Sequence, residues 1–368
     1  METARPIRAL INALHAKSGG GITYLRAMLP ELADDSRLSL VLLVHRHTLD
    51  LFQPLDPRIQ VHAVDLPGGL IHEMLWEQVK LPSLVRQLGV GVVFSPANFG
   101  PVLCQRQVLL LRNDVTVGRD EPRLSKKLYW WALTALTWAS LARSARAIAV
   151  SAYAAGRLSF GFDNKVTVVH HGVSPLFQPD PQVTREDFLL AVSDVYVQKN
   201  FLTLVRALAA LRASHPSLRL VVAGRVVDPW YHRQVLDLAV ELGVADAINF
   251  VGHLAAPALR DLYRRCRVFV FPSTAETFGN PLVEAMACAA PVVSSNAAAL
   301  PEVVGDAALL FDPLDVDALA RQLTRVLEEP GLSERMSVLA AQRGRQFSWS
   351  RTARATADML VAAALGNG

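Results

Sequence analysis

Twelve short runs of β-branched and leucine-rich residues punctuate this sequence, each four to seven residues long and followed by a loop and a segment of helical period. Six form a first series: Arg8–Asn12, Leu38–Val44, Val92–Ser95, Gln107–Arg112, Ala147–Val150 and Val166–His170. Six more form a second: Phe188–Ser193, Leu218–Gly224, Ile248–Val251, Val268–Pro272, Val292–Ser295 and Leu309–Asp312. Continuous apolar strands alternating with helices specify parallel sheets covered on both faces, because only a strand buried on both sides dispenses with polar alternation. The predicted fold class is α/β, two doubly wound Rossmann-like parallel-sheet domains. A length of 368 residues fits two domains at roughly 100–200 residues each. Between the series, HGVSPLFQPDPQVTRED (His171–Asp187) packs three prolines among polar residues, which is linker chemistry. The predicted domains are residues 1–172, a linker at 173–187, and residues 188–347. Residues 348–368 follow as a closing helix that packs back towards the N-terminal domain, with Ser348 as capping candidate.

Composition narrows the class. Apolar residues make up 51% and charged ones 19%, so a sizeable core is available and disordered, collagen-like or mucin-like chains are excluded. The net charge of +4 is too small for a nucleic-acid footprint, and no nucleic-acid partner is expected. Residues 1–172 nevertheless carry 19 basic against 13 acidic residues, and residues 173–368 carry 18 against 20. Cys104, Cys266 and Cys288 are odd in number and without C-x-x-C spacing, which supports neither a disulfide framework nor a zinc site, and a reducing cytoplasmic location is expected. Near the N-terminus the apolar patch Ala9–Leu14 is too short for a signal-peptide core. The run Leu128–Ala142, with Trp130, Trp131 and Trp138, falls short of the roughly 20 residues of a membrane span and predicts a buried helix with the tryptophans in the core.

Ligands of doubly wound sheets lie beyond the carboxyl ends of the strands. After the first strand comes Lys17-Ser18-Gly19-Gly20-Gly21, where glycines let a backbone approach a phosphate or sugar closely, although the spacing is not that of a dinucleotide fingerprint. After Val268–Pro272 comes Ser273–Ala287, in which Asn280 as N-cap and Pro281 at the first helical position predict a helix start. Glu276 precedes that helix and Glu284 lies in or just past its first turn. A carboxylate there can accept two hydrogen bonds from a vicinal diol such as a ribose, while helix N–H groups bind phosphate. Lys199 stands near the start of the helix after Phe188–Ser193, a position mildly unfavourable for a cation unless an anion joins it.

The stretch ETFGNPLVEAMACAAPVV, with Glu276 and Glu284 separated by seven residues, resembles the signature of retaining glycosyltransferase family 4, the glycosyl transferases group 1, of GT-B fold. VSAYAAGRL (Val150–Leu158), HHGV (His170–Val173), QKN (Gln198–Asn200), VVAGR (Val221–Arg225) and LPEVVGDAALLFDP (Leu300–Pro313) extend the likeness over nearly the whole chain. The resemblance implies two domains facing a central cleft, the first receiving the acceptor. It implies a nucleotide diphosphate sugar, GDP- or UDP-linked, as donor substrate, with no further cofactor and no metal. Glu284 would bind the ribose hydroxyls, and Glu276 with the backbone of Phe278, Gly279, Asn280, Pro281 and Leu282 would hold the transferred sugar. Lys199 would neutralise the diphosphate, which Gly20 and Gly21 approach. Three positions depart from the family pattern. Ser193 stands where an arginine often forms the second phosphate clamp, Arg225 on the adjacent loop being a substitute. Asn113-Asp114 replaces a His-Asp pair that contacts the sugar, and Ala290 replaces a glycine.

Positive charge develops at the anomeric carbon and negative charge on the leaving diphosphate, so fixed cations and helix N-termini are the natural catalyst. The expected enzyme is a retaining hexosyltransferase, mannose being the first choice, acting on a glycan or polyprenyl-diphosphate-linked acceptor in surface polysaccharide assembly. Arg119, Arg123, Lys126 and Lys127 ahead of Tyr129, Trp130 and Trp131 would suit peripheral contact with an anionic membrane on its inner face. Rival readings are a non-catalytic nucleotide-sugar-binding scaffold and a nucleotide-sugar epimerase of the same architecture.

Overall fold

The computed structural model describes residues 5–17, 19–66, 69–113 and 124–366. The chain divides into two compact units, Met1–Gly172 with Trp349–Gly368, and Val173–Ser348. In the first unit the strands are β1 (Ile7–Asn12), β2 (Leu38–His45), β3 (Gln60–Val64), β4 (Val92–Ser95), β5 (Gln107–Leu111), β6 (Arg146–Ala149) and β7 (Val166–Val168). They pair in parallel in the order β3-β2-β1-β4-β5-β6-β7. The helices are α1 (Gly20–Ala33), α2 (Leu70–Val79), α3 (Leu81–Gln87), α4 (Leu124–Arg143) and α5 (Ala152–Leu158). The chain runs outward from β1 to β3 and returns to lay β4 on the other flank of β1, so the order of connection reverses between β1 and β4.

The second unit repeats the plan. β8 (Glu186–Val192), β9 (Arg219–Ala223), β10 (Ile248–Gly252), β11 (Cys266–Phe271), β12 (Val292–Ser295) and β13 (Ala308–Phe311) form a parallel sheet in the order β10-β9-β8-β11-β12-β13. Its helices are α6 (Phe201–Arg212), α7 (Pro229–Glu241), α8 (Ala256–Arg265), α9 (Asn280–Ala287), α10 (Leu300–Val304), α11 (Val316–Glu328) and α12 (Leu332–Gly344). Leu189, Ala191, Val268, Val270 and Val293 of the sheet bury against Leu204 and Leu208 of α6 and Leu319 and Leu323 of α11. Here the reversal falls between β8 and β11. A final helix, α13 (Trp349–Leu365), packs within the first unit: Trp349 meets the Tyr24 ring at 5.7 Å and Thr352 Oγ1 donates to His170 O at 2.8 Å.

Four expectations need correction. β3 was absent from the predicted strands because it is the sheet edge: Gln60 and Val61 are exposed, so no continuous apolar run marks it. β8 begins at Glu186, inside the stretch assigned to the linker. Asn280 is the first helical residue of α9 and not its cap, which is Gly279 in a left-handed conformation (φ 87°). Trp131 and Trp138 are 65% and 52% exposed, so the tryptophans of α4 do not form core. The helix buries Leu133, Thr137, Ser140 and Leu141 instead, the hydroxyls being satisfied by Thr137 Oγ1 to Leu133 O (2.8 Å) and Ser140 Oγ to Gly100 O (3.0 Å). The three cysteines are buried, and burial pushes their thiols up to about 11 for Cys104 and about 12 for Cys266 and Cys288.

The loop after β9 is fixed by a close backbone approach. A Cβ on Gly224 would stand 1.9 Å from Ser193 O, whereas one on Gly156, inside α5, meets nothing within 4 Å. Gly224→Ala is expected to destabilise by roughly 2–4 kcal/mol, and Gly156→Ala to stabilise by about 0.5–1 kcal/mol through helix propensity. Denaturant unfolding of the two variants checks both signs.

Candidate functional site

In the second unit the strands on either side of the reversal carry the charged residues singled out from sequence. Lys199 ends the turn Val197–Lys199 after β8, and Glu276 lies in the loop after the neighbouring strand β11. The structure brings them together as an ion pair, Lys199 Nζ on Glu276 Oε1, with side chains only 10% and 16% exposed. Burial alone would push the Lys199 ammonium down. Glu276 and Tyr196 beside it outweigh that, and its pKa is raised. The ammonium also stands over the rings of Tyr196 (5.2 Å) and Phe271 (5.6 Å).

The next residue locks these loops. Asn200 takes a left-handed conformation (φ 56°), and its Nδ2 donates to Pro272 O (3.1 Å) after β11 and to Pro313 O (2.6 Å) after β13. Thr274 N donates to Gln198 O (2.9 Å), Ser295 Oγ to Ser273 O (2.5 Å) and Ala299 N to Glu276 O (3.2 Å). Four strand ends are thereby tied into one surface that ends at the N-terminus of α9. Phe278 and Leu282 turn their side chains into the core at 3% and 0% exposure, so only their backbone faces the loop. Gly279 is needed where it stands, since a Cβ there would lie 2.9 Å from Leu300 Cδ2 on a left-handed backbone.

Glu284, on α9, meets a partner the sequence did not suggest: the fully buried Tyr263 of α8 donates its hydroxyl to Glu284 Oε2 at 3.0 Å. Burial pushes the Glu284 carboxyl up to about 7, and the Tyr263 hydrogen bond acts in the opposite direction. Tyr263 itself is pushed well above its ordinary value, first by burial and then by Glu284.

Ser193 lies on the same sheet end with its N–H on Ala223 O (3.0 Å). Arg225 is there too, but its guanidinium is engaged by Asp194 (2.7 Å, with Arg225 N to Asp194 Oδ1 at 3.0 Å), so its charge is already partnered. A D-x-D triplet, Asp315-Val316-Asp317, opens α11, where Asp315 Oδ1 accepts from Ala318 N (2.7 Å) as a helix cap. Among the described residues no group of three or more His, Cys, Asp and Glu side chains is arranged to hold a metal ion.

In the first unit, Gly20 opens α1 and Gly21 lies under Arg112, whose Nη2 would be 2.7 Å from a Cβ at that glycine. Burial pushes the Arg112 guanidinium down. Asn113 is held through its backbone, its N–H donating to Asn98 Oδ1 (3.1 Å) and its carbonyl accepting from Asn98 Nδ2 (2.5 Å). Asp114 lies outside the described residues. Sequence reasoning passed over a buried polar network near the ends of β1 and β2. Glu77 accepts from Asn12 Nδ2 (2.5 Å) and lies 2.9 Å from His15 Nε2, while Glu73 pairs with Lys17 and lies 3.5 Å from His45 Nε2. Burial pushes His45 down against the pull of Glu73. Two signals could have found this network: the strand-end positions of Asn12, His15, Lys17 and His45, and the four-residue spacing of the glutamates.

Residues 176–343, a little under half of the chain, match the model of the glycosyl transferases group 1. It is 35% identical over 212 residues to a D-inositol 3-phosphate glycosyltransferase of Stackebrandtia nassauensis, a match covering 52% of this chain and 47% of the relative. It is 32% identical over 169 residues to the serotype-specific mannosyltransferase WbdA of Escherichia coli, covering 46% and 21%. The match thus spans about half of the first relative's length and about a fifth of the second's. Anabaena HepE, solved with UDP and glucose, superposes with a TM-score of 0.74 at 18% identity over 97% of this chain and all of that one. The fold is GT-B, two parallel-sheet Rossmann-like domains.

Because its folded-state carboxyl is raised from 4.5 to about 7, Glu284 sheds its proton in the unfolded chain first. Between about pH 4.5 and 7 the folded state therefore loses stability as pH rises, by roughly 2–4 kcal/mol at 1.36 kcal/mol per unit. Glu284→Gln is expected to remove that slope from melting curves taken across this range, and Tyr263→Phe to steepen it.

Proposed function

We propose that this chain is a retaining glycosyltransferase that moves a hexose, mannose being the first choice, from a nucleotide diphosphate sugar to a glycan or polyprenyl-diphosphate-linked acceptor. The observation that carries the reading is the Lys199–Glu276 pair at the point where the strand order of the second sheet reverses, directly ahead of α9. A donor diphosphate at the Lys199 ammonium and the α9 N-terminus meets fixed positive charge on the side where the leaving group gathers negative charge. Glu276 accepts hydrogen bonds from hydroxyls of the transferred sugar. Glu284 accepts those of the ribose, and Tyr263 holds its other oxygen in place. The anomeric carbon–oxygen bond to the diphosphate breaks with oxocarbenium character. The acceptor hydroxyl bonds to that carbon on the face the diphosphate leaves, and its proton passes to the departing oxygen, so configuration is retained. Lys199 and the helix dipole supply the leaving-group charge, so the reaction is proposed to run without a divalent ion.

The family match and the printed activity of the mannosyltransferase relative support a glycosyl transfer with mannose as first choice. The UDP and glucose bound by the Anabaena neighbour support a nucleotide sugar as donor.

A thermal-shift panel of GDP, UDP and ADP sugars is expected to single out one base, since a ligand at 100 times its dissociation constant stabilises by about 2.7 kcal/mol. Lys199→Ala and Glu276→Ala are each expected to lower turnover by about 10²–10³-fold, and to lower melting as well because the remaining charge is stranded, whereas a purely structural role would move melting alone. Inverted configuration in the product NMR spectrum, or activity lost to chelator and restored by a divalent ion, would overturn the mechanism. Stabilisation by no nucleotide sugar would overturn the function.

A further inference from the structure

Two helices of the first unit are built inside out. A surface helix normally turns its apolar stripe to the core and its charges to water. α2 instead buries Glu73 and Glu77, at 2% and 0% exposure, and presents Ile71, Leu75 and Val79 at 72%, 58% and 66%. α4 buries Thr137 and Ser140, both at 0%, and presents Leu128, Trp131 and Trp138 at 61%, 65% and 52%. Most inward polar groups are paired, α2 through the histidine and lysine network near β1 and β2, where Glu73 Oε2 alone of its carboxylate oxygens lacks a hydrogen bond, and α4 through its own carbonyls and Gly100. Of the outward apolar groups Trp138 meets the Phe162 ring at 6.2 Å, yet it stays half exposed, as do the others or more so.

The two helices share a neighbour. Gly100 O accepts both from Gln78 Nε2 of α2 (3.1 Å) and from Ser140 Oγ of α4 (3.0 Å), and Val102 N donates to Gln78 Oε1 (2.8 Å). Leu103, next in the chain, is 68% exposed. Single exposed aliphatics are ordinary on a protein surface, but a set spread over two neighbouring helices and the turn between them marks an interaction surface.

The charge around this surface selects its occupant. Glu73 and Glu77 are the only carboxylates in either helix, and both are buried, so neither helix shows a negative charge outward. Lys80 just past α2 and Arg143 at the end of α4 are exposed, and Lys127 lies beside Leu128. A second copy docking by a twofold axis would set this cationic, carboxylate-free face against itself. Exposed tryptophans and a tyrosine with cations and no carboxylate suit a headgroup region, where an amphipathic ring or helix lies at the acyl boundary and anionic lipid meets Lys and Arg. No described helix is long and apolar enough to cross a membrane, so the contact is peripheral.

We propose that the outer face of α2 and α4 is a docking surface for an anionic lipid bilayer. The proposal stands independently of sugar transfer, because it is read on vesicles without any donor. The full chain, floated with phosphatidylcholine vesicles containing phosphatidylglycerol, is expected to rise with them, to stay behind with phosphatidylcholine alone, and to be released by salt. Tryptophan emission should shift to the blue on binding. Trp131→Ser with Trp138→Ser, and independently Ile71→Ser with Leu75→Ser, are each expected to weaken binding about tenfold with unchanged melting, as are Lys127→Glu and Arg143→Glu together. Failure to bind anionic vesicles would overturn the proposal. So would binding that the folded variants leave untouched, or a wild-type dimer in sedimentation that the same substitutions dissociate.

Discussion

The buried ammonium of Lys199 is the constraint on which the second unit's loop surface depends. Burial works against its charge, and only Glu276 on the neighbouring loop, with Tyr196, turns the balance towards protonation. A pair of this kind is weak evidence for stability, since desolvation of both ions offsets their attraction and an apolar pair of similar volume often serves the fold as well. Removing one partner is a different matter, because the remaining charge is stranded. The pair therefore holds the loops after β8 and β11 in one relation while keeping two opposite charges at a strand-order reversal. Such an arrangement is hard to explain by packing and easy to explain by an anion and a polyol arriving together.

The second carboxylate of the motif obeys a different environment. Glu276 and Glu284 are eight positions apart and joined by one turn and the start of α9, yet the first meets an ammonium and the second a fully buried phenol. Environments that separate two titratable groups in this way mark a division of roles. The separation depends on Gly279. A left-handed backbone pressed against Leu300 favours a residue without Cβ, and that turn separates Glu276, beside Lys199, from Glu284, on the helix beside Tyr263.

The sheets were legible because their strands are buried on both faces, which writes them as uninterrupted apolar runs. β3 was not, since an edge strand needs only one apolar face and its Gln60 and Val61 look outward. Lys199, Glu276 and Glu284 were legible from their places after strands and at a helix start, and the pairing of the first two follows from β8 lying beside β11. Tyr263 was not, because nothing local in α8 distinguishes a phenol aimed at a carboxylate from one that packs. The outward apolar face of α2 was not legible for a sharper reason. Hydrophobic periodicity fixes that a helix has an apolar side but not which way it turns, and that direction came from Glu77 and Glu73 meeting His15, Lys17 and Asn12, residues some 56 to 65 positions away.

Division of the chain into units changes how its small net charge acts. With Trp349–Gly368 counted in the first unit, that unit holds 21 basic against 14 acidic residues, and the second holds 16 against 19. The unit carrying Lys199 is thus the acidic one, and its average field repels a diphosphate. Charges farther apart than a Debye length of about 8 Å at physiological ionic strength are largely screened at a solvated surface, whereas partly buried groups are screened much less. Attraction for the anion must then come from the few groups at the strand ends: the start of α9, and Lys199 and Arg225, each of which already holds a carboxylate, Glu276 and Asp194. A site built this way owes its selectivity to local geometry, and moderate salt should disturb it far less than it disturbs the broad, exposed basic surface of the other unit.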